Sequence, residues 1–141
     1  MIHIREFRYP EDYPQAAQLW REMEKGVRFS RSDVPEEIEK KIQRDPDLFL
    51  VAEENQKIIA TVIGGFDGRR GMVYHLAVAE SQRRRGIADA LMAELEKRLV
   101  QKGAIRVYLL VHKNNIEARA LYEKQNWIPL DDDVIYSKDI A

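Results

Sequence analysis

The chain has 141 residues, 23 Lys+Arg against 24 Asp+Glu, no cysteine and 45% hydrophobic residues, one domain's worth of sequence with apolar material for a core. Without cysteine there is no disulfide framework, thiolate nucleophile, iron–sulfur cluster or cysteine-based zinc site, and His3, His75 and His112 stand at no metal-binding spacing, so no metal is expected. A net charge of −1, no apolar run near the ~18 residues of a membrane span and a charged N-terminus exclude nucleic-acid and membrane partners and lead us to expect a cytoplasmic protein.

Residues 2–8 alternate as a strand and run into Tyr9-Pro10-Glu11-Asp12, a proline with acids of the kind that opens a helix. Tyr13, Ala16, Ala17, Trp20 and Met23 then recur at helical intervals, and Gly26 is expected to end that helix. Ser32 to Glu37 opens a second helix through Ile38 and Ile42, closed by Asp45-Pro46 because the residue before proline is pushed out of helical geometry. Leu48 to Ala52 is a short apolar run, Asn55-Gln56 a turn, and Ile58 to Phe66 a β-branched strand. Asp67 to Gly71 is a second hairpin loop, and Met72 to Val78 returns as the next strand.

Gly86 to Lys102 reads as a helix, with Ile87, Leu91, Leu95 and Leu99 four apart and Gly103 as its stop. Ile105 to Val111 is nearly continuous in apolar residues, as buried parallel strands are. Asn115 to Gln125 is helical, with Ile116, Ala120 and Leu121 as packing positions. Trp127-Ile128 and Val134-Ile135-Tyr136 are expected as short final strands around the acidic turn Asp131 to Asp133. With no repeat or linker, residues 1–141 read as a single α+β domain.

The chemistry concentrates where a strand ends at Leu76-Ala77-Val78, a basic loop follows, and a helix opens at Gly86-Ile87-Ala88. Helix starts leave backbone N–H groups unpaired and partly positive, which suits a phosphate. Arg83, Arg84 and Arg85 add charge there, and Gly86 lets a ligand approach the main chain. A solvated basic loop would carry the same letters. GxxxxGK[ST] and GxGxxG are both absent, which excludes a P-loop and a dinucleotide fold.

Residues 83–88 resemble the Arg/Gln-x-x-Gly-x-Gly/Ala loop of the GNAT N-acetyltransferases, and Asn115-Ile116-Glu117-Ala118 through Tyr122-Glu123-Lys124-Gln125-Asn126-Trp127 resembles their Asn-x-x-Ala-x-x-x-Tyr-Glu-Lys-x-Gly-Phe segment. The order of elements is similar along nearly the whole chain, most of all to small bacterial YpeA-type members. Asn126 replaces the usual glycine and Trp127 the phenylalanine; Asn is the next best residue at a left-handed helix terminus. The resemblance implies a three-layer acyl-CoA N-acyltransferase fold, with a mixed sheet of about six or seven strands flanked by four helices.

It also implies acetyl-CoA as cosubstrate, lying where strands 72–78 and 105–111 splay apart. Main-chain groups of Leu76, Ala77 and Val78 would meet the pantetheine arm, the Leu76 amide would face the thioester oxygen, and Arg83, Arg84, Arg85, Gly86, Ile87 and Ala88 would cradle the pyrophosphate. Tyr122 would be the general acid for the departing thiolate, though periodicity alone reads it as a core aromatic; Asn115 would cap its helix and bond the cofactor, though capping alone explains it.

The base stays open. Family members that carry one on this strand place it at positions matching Met72 or Tyr74, whereas strand alternation sets His75 with Val73 and Ala77 on the other face, as a structural residue. A water chain to Glu53, Glu54 or Asp67 is the alternative. The expected acceptor is a primary amine on a small molecule or a protein, attacked directly in a ternary complex; a protein N-terminal or lysine acetyltransferase and a non-catalytic acyl-CoA sensor are the rival readings. A second copy of the chain is a candidate partner.

Overall fold

Phe49 to Ala52 are buried without exception, as a strand covered on both faces must be, and the sheet extends outward from them. The computed structural model describes residues 1–23, 25 and 27–141; the expected helix end at Gly26 lies outside the described residues. Strands β1 (His3–Glu6), β2 (Phe49–Glu54), β3 (Lys57–Phe66), β4 (Gly71–Val78) and β5 (Val107–Leu109) lie side by side in that order. All neighbours are antiparallel except β4 and β5, which are parallel. The helices are α1 (Tyr13–Glu22), α2 (Pro35–Arg44), α3 (Ile87–Lys102) and α4 (Ile116–Lys124). The chain divides into two units, residues 1–110, which hold the sheet with α1 to α3, and residues 111–141, which hold α4.

Within residues 1–110 the strand alternation sorts two cores. Phe49, Val51, Ile63 and Ala77 join Ala16, Leu19 and Trp20 of α1 and Ile38 of α2 on one face. On the other, α3 buries Leu91, Met92, Leu95 and Leu99 completely. Glycines let α3 come close: a Cβ on Gly64 would stand 2.5 Å from Leu95 Cδ1, and one on Gly71 3.2 Å from Leu99 Cδ1. The turns follow from local chemistry. Asn55 and Gln56 both take positive φ, as the two-residue hairpin turn requires, and Asp67 Oδ1 accepts the N–H groups of Arg69 and Arg70.

An ion cluster ties β1 to the start of α1. Arg5 donates to Asp12 at 2.7 and 3.0 Å and to Glu53 at 3.0 Å, and Asp12 also accepts the Arg8 N–H. Burial pushes the Asp12 carboxyl up, but the bonds from Arg5 and Arg8 outweigh it and hold it below the ordinary carboxylate range.

Four expectations are corrected. Among the described residues the sheet has five strands where about six or seven were expected. Trp127-Ile128 and Val134 to Tyr136 form no strand, because segments that short are held only by a partner; Val134 and Tyr136 are exposed. The strand expected over 105–111 shrinks to β5, with Ile105 and Leu110 exposed. In α4 the sheltered side is Ala118, Leu121, Tyr122 and Gln125, at helical spacing, while Ile116 and Ala120 face out.

Gly64→Ala is expected to lower stability by about 1–3 kcal/mol, since a methyl there meets a fully packed Leu95; urea denaturation at neutral pH measures it. Asp12→Asn is expected to cost about 1.5–3 kcal/mol at neutral pH, the worth of hydrogen bonds to a charged group. Because the folded carboxyl lies below its unfolded value, that contribution is complete above the ordinary carboxylate range and fades as pH falls through the folded value. Urea curves of parent and variant should therefore converge in acid.

Candidate functional site

β5 accompanies β4 only from Gly71 to Val73, and beyond that point β4 runs on to Val78 with no strand on that side among the described residues. β3 stays paired on the other side: Ala77 lies opposite Thr61, and the Ala79 N–H donates to Ile59 O at 2.9 Å. Neighbouring residues of an antiparallel strand turn their main-chain groups to opposite sides. Leu76 and Val78 therefore direct theirs toward the open edge, where the Arg83 Nε–H already reaches the Val78 carbonyl at 3.3 Å.

β4 bulges just before that edge. Tyr74 pairs with Ile63 and Ala77 with Thr61, so three steps of β4 match two of β3 and one residue is extra. His75 absorbs the irregularity at φ +49°. Ile63 and Ala77 both belong to the core under α1 and α2, which sets Tyr74 on that face as well. The His75 ring lies 5.1 Å from Trp20 on the same face. This corrects the alternation argument: the extra residue brings His75 round to the side of Tyr74.

His75 Nε2 is 2.6 Å from Asp33 Oδ1, and the imidazole stays 19% exposed. Asp33 itself is buried in the connection between α1 and α2. Its other carboxylate oxygen accepts the Ser30 N–H at 2.9 Å and hydroxyl at 3.3 Å, and its carbonyl accepts the Tyr13 hydroxyl at 2.8 Å. Burial pushes the Asp33 carboxyl up, but the bonds from His75 and Ser30 more than compensate and hold it below the ordinary carboxylate range. Thr61 completes the surroundings: its Oγ1 accepts Trp20 Nε1–H at 2.9 Å and donates to His75 O at 3.3 Å. Trp20 and Tyr13 are thus core and brace. Asp33 was legible only as a helix-start letter; the one signal for its role was the Ser30-x-x-Asp33 spacing of a loop-locking side chain.

After Val78 a single 3₁₀ turn, Glu80–Gln82, leads to the basic loop. Arg84 and Gly86 both take left-handed φ, +65° and +77°, and such reversals of hand can turn successive N–H groups toward one point. Nothing lies within 4 Å of a Cβ placed on Gly86, so the approach to the start of α3 is open. The arginines do not act alike. Arg85 is spent on Glu54, with bonds of 3.0 and 2.9 Å, and on Gln82. Arg83 lies along the Val78 carbonyl, and Arg84 is exposed. The alternative bases are occupied too: Glu53 by Arg5, Glu54 by Arg85, Asp67 by its own loop. Burial raises the Tyr74 phenol, which makes it a worse proton acceptor at neutral pH.

In residues 111–141, Asn115 Oδ1 accepts the Ala118 N–H at 3.2 Å, capping α4 as expected. Tyr122 packs edge-on against Trp127, with centroids 6.1 Å apart, and burial pushes its phenol up to about 12. Asn126 takes φ +71°, the left-handed conformation that its family glycine would supply. His112 is exposed and accepts the Asn114 N–H through Nδ1. Among the described residues no three His, Asp or Glu side chains gather to hold a metal, and no helix is long and apolar enough to cross a membrane.

Comparison with known proteins gives the same outline. An acetyltransferase of Pectobacterium atrosepticum is 39% identical over 130 residues, covering 92% of this chain and 90% of that protein. One of Sodalis glossinidius is 36% identical over 137 residues, covering 97% and 94%. Among solved structures, the PaiA N-acetyltransferase of Thermoplasma acidophilum in complex with coenzyme A superposes with a TM-score of 0.79 at 22% identity, over 89% of this chain and 88% of that one. A transcriptional regulator of Bacillus halodurans reaches 0.81 at 17% identity, over 98% and 100%, a likeness of fold alone. The model of the acetyltransferase (GNAT) family matches residues 13–127, and the chain belongs to that family.

Proposed function

We propose that the protein transfers an acetyl group from acetyl-CoA to a primary amine, which attacks the thioester directly while both are bound. The observation that carries this reading is the strand-free edge of β4: Leu76 and Val78 turn main-chain groups to it, and the basic loop from Arg83 leads into α3 at Ile87 a few residues on. An acyl-pantetheine arm is an amide chain, and an open strand edge binds such a chain as an added strand. The relatives named as acetyltransferases and the coenzyme A complex of the Thermoplasma protein support the same reading.

In this reading the pyrophosphate meets the backbone N–H groups of Gly86, Ile87 and Ala88, with Arg84 as the exposed charge and Arg83 at the arm. Arg85 contributes indirectly, through its pairing with Glu54 beside the loop. Ala77 holds β4 against β3 while Leu76 and Val78 bind, and the Leu76 N–H points at the thioester oxygen, where negative charge grows during attack. As the N–C bond forms and the C–S bond breaks, Tyr122 gives its proton to the departing thiolate and recovers one from the amine nitrogen through water. Its raised proton affinity keeps it protonated at every working pH. Asn115 fixes the start of the helix that carries Tyr122 and bonds the cofactor. The absence of cysteine removes the commonest acyl-enzyme nucleophile, which favours direct attack.

Calorimetry with acetyl-CoA tests the site. The parent is expected to bind, and Gly86→Glu to weaken binding by well over about tenfold, or 1.4 kcal/mol, by setting a carboxylate against the pyrophosphate. Gly86→Asn, which tolerates the left-handed conformation, separates charge from strain and should bind far better than Gly86→Glu. No binding by a folded parent would overturn the reading.

Tyr122→Phe addresses the acid. Thiol release with a panel of alkyl amines should fall by about 10²–10⁴, the usual worth of a positioned proton donor, while acetyl-CoA affinity holds. Unchanged turnover would remove Tyr122 from the chemistry.

A further inference from the structure

An alkyl ammonium has a pKa near ~10 and must surrender a proton before its nitrogen can attack a thioester. The group that takes this proton must be near the open edge of β4, hold a lone pair that can accept it, and not already be tied to a cation. Glu53 and Glu54 fail the last condition, since arginines hold both. Met72 has no lone pair of use, and burial raises the Tyr74 phenol.

We infer that His75, oriented by Asp33, is the proton acceptor for the incoming amine. The inference rests on the acetyl-transfer reading above and on the bulge of β4. The bulge places His75 immediately before Leu76, whose N–H faces the thioester in that reading, and on the face of Tyr74. Asp33 takes Nε2 at 2.6 Å, so the proton they share stays on that side and Nδ1 holds the lone pair. A carboxylate behind an imidazole fixes its ring and tautomer and stabilises the imidazolium that forms. Asp33 is in turn locked by Ser30, and Trp20 packs on the ring. Among the described residues, other titratable groups around this pair are Tyr13 of α1, whose hydroxyl bonds the Asp33 carbonyl, and Tyr74, next to His75 on β4; Lys41 of α2 lies near Tyr74 at Gly65 and is bonded to Asp45.

The proton balance closes without a further reactant. One proton of the ammonium passes to His75 Nδ1 and on to solvent. The freed nitrogen forms the N–C bond, and its second proton replaces the one that Tyr122 gives to the departing sulfur. The products are the amide, the free thiol of coenzyme A and one released proton.

Glycine at position 75 accepts φ +49° without strain and leaves an imidazole-sized gap between Trp20 and Asp33 that added imidazole can fill. In His75→Gly, kcat/KM for the best alkyl amine of the panel should fall by at least about 100-fold, the lower end for a lost general base. Added imidazole should restore much of that rate. Hydroxylamine, already unprotonated at neutral pH, should lose far less, since it has no ammonium proton to surrender before it attacks. Asp33→Asn should lower the alkyl-amine rate in the same selective way. Equal losses for both nucleophiles, no loss for either, or no response to imidazole would overturn the assignment, as would a parent that binds acetyl-CoA but acetylates no alkyl amine. A parent that fails to bind acetyl-CoA overturns the acetyl-transfer reading instead, which calorimetry on the same samples distinguishes. Should His75→Gly not fold, His75→Asn, the next most tolerant residue at positive φ, carries the same comparison.

Discussion

The extra residue in β4 is the constraint on which the rest of the arrangement depends. β4 has three obligations that an unbroken strand cannot meet together. It pairs with β3 along its whole length, it parts from β5 after Val73, and it returns Ala77 to the core under α1. In a regular strand Tyr74 and Ala77, an odd number of residues apart, would lie on opposite faces. The bulge at His75 puts both on one face, and it keeps Leu76 and Val78 turned to the open edge. A β4 without that residue would pair just as well but would shift Leu76 and its neighbours to the wrong side, because a one-residue slip exchanges faces throughout.

What holds the bulge is a short chain of bonds running inward. Trp20 Nε1–H goes to Thr61 Oγ1, Thr61 Oγ1–H to the His75 carbonyl, and the His75 ring to Asp33. Each member is buried or nearly so, where an unmade hydrogen bond costs about 1–3 kcal/mol. The same chain joins α1, β3, β4 and the connection after α1. The opposite face of the sheet is simpler. There α3 approaches closely over Gly64 and Gly71, and this packing fixes where its first turn, with Gly86, stands relative to the end of β4.

The sequence was most legible where one residue's chemistry decides a local conformation. Pro35 with Asp45-Pro46 bounded α2, Gly103 stopped α3, Asn55-Gln56 turned the first hairpin, and Asn126 took the left-handed φ that its place after a helix required. The two family motifs were likewise legible, because they sit at a helix start and along one helix. Illegible were features that depend on a distant partner. Ile105 and Leu110 are as apolar as Val107 and Leu109, but whether they join a strand is settled by how far β4 follows β5. Trp127-Ile128 and Val134 to Tyr136 failed as strands for the same reason. The bulge left no mark either, since no glycine announces it, and a period-two reading of β4 therefore put His75 on the wrong face.

That missing glycine is itself informative. Among the described residues, five other than glycine have positive φ: Asn55, Gln56, His75, Arg84 and Asn126. Asn55 and Gln56 make a hairpin turn, Arg84 lies in the loop before α3, and Asn126 follows α4, all places where reversal of the chain calls for such a conformation. His75 alone lies within a strand. A left-handed conformation costs a residue with a Cβ roughly 1–2 kcal/mol, which glycine avoids. Glycine would meet every backbone obligation of β4 described above, including the bond from Thr61, which goes to a carbonyl that glycine also has. What glycine could not supply is the imidazole, with its bond to Asp33 and its contact with Trp20. A left-handed position that glycine would fill at lower cost points to work done by the side chain that occupies it. Its neighbours narrow the work further, because a buried carboxylate on one ring nitrogen is superfluous for packing against Trp20 and useful for holding a proton.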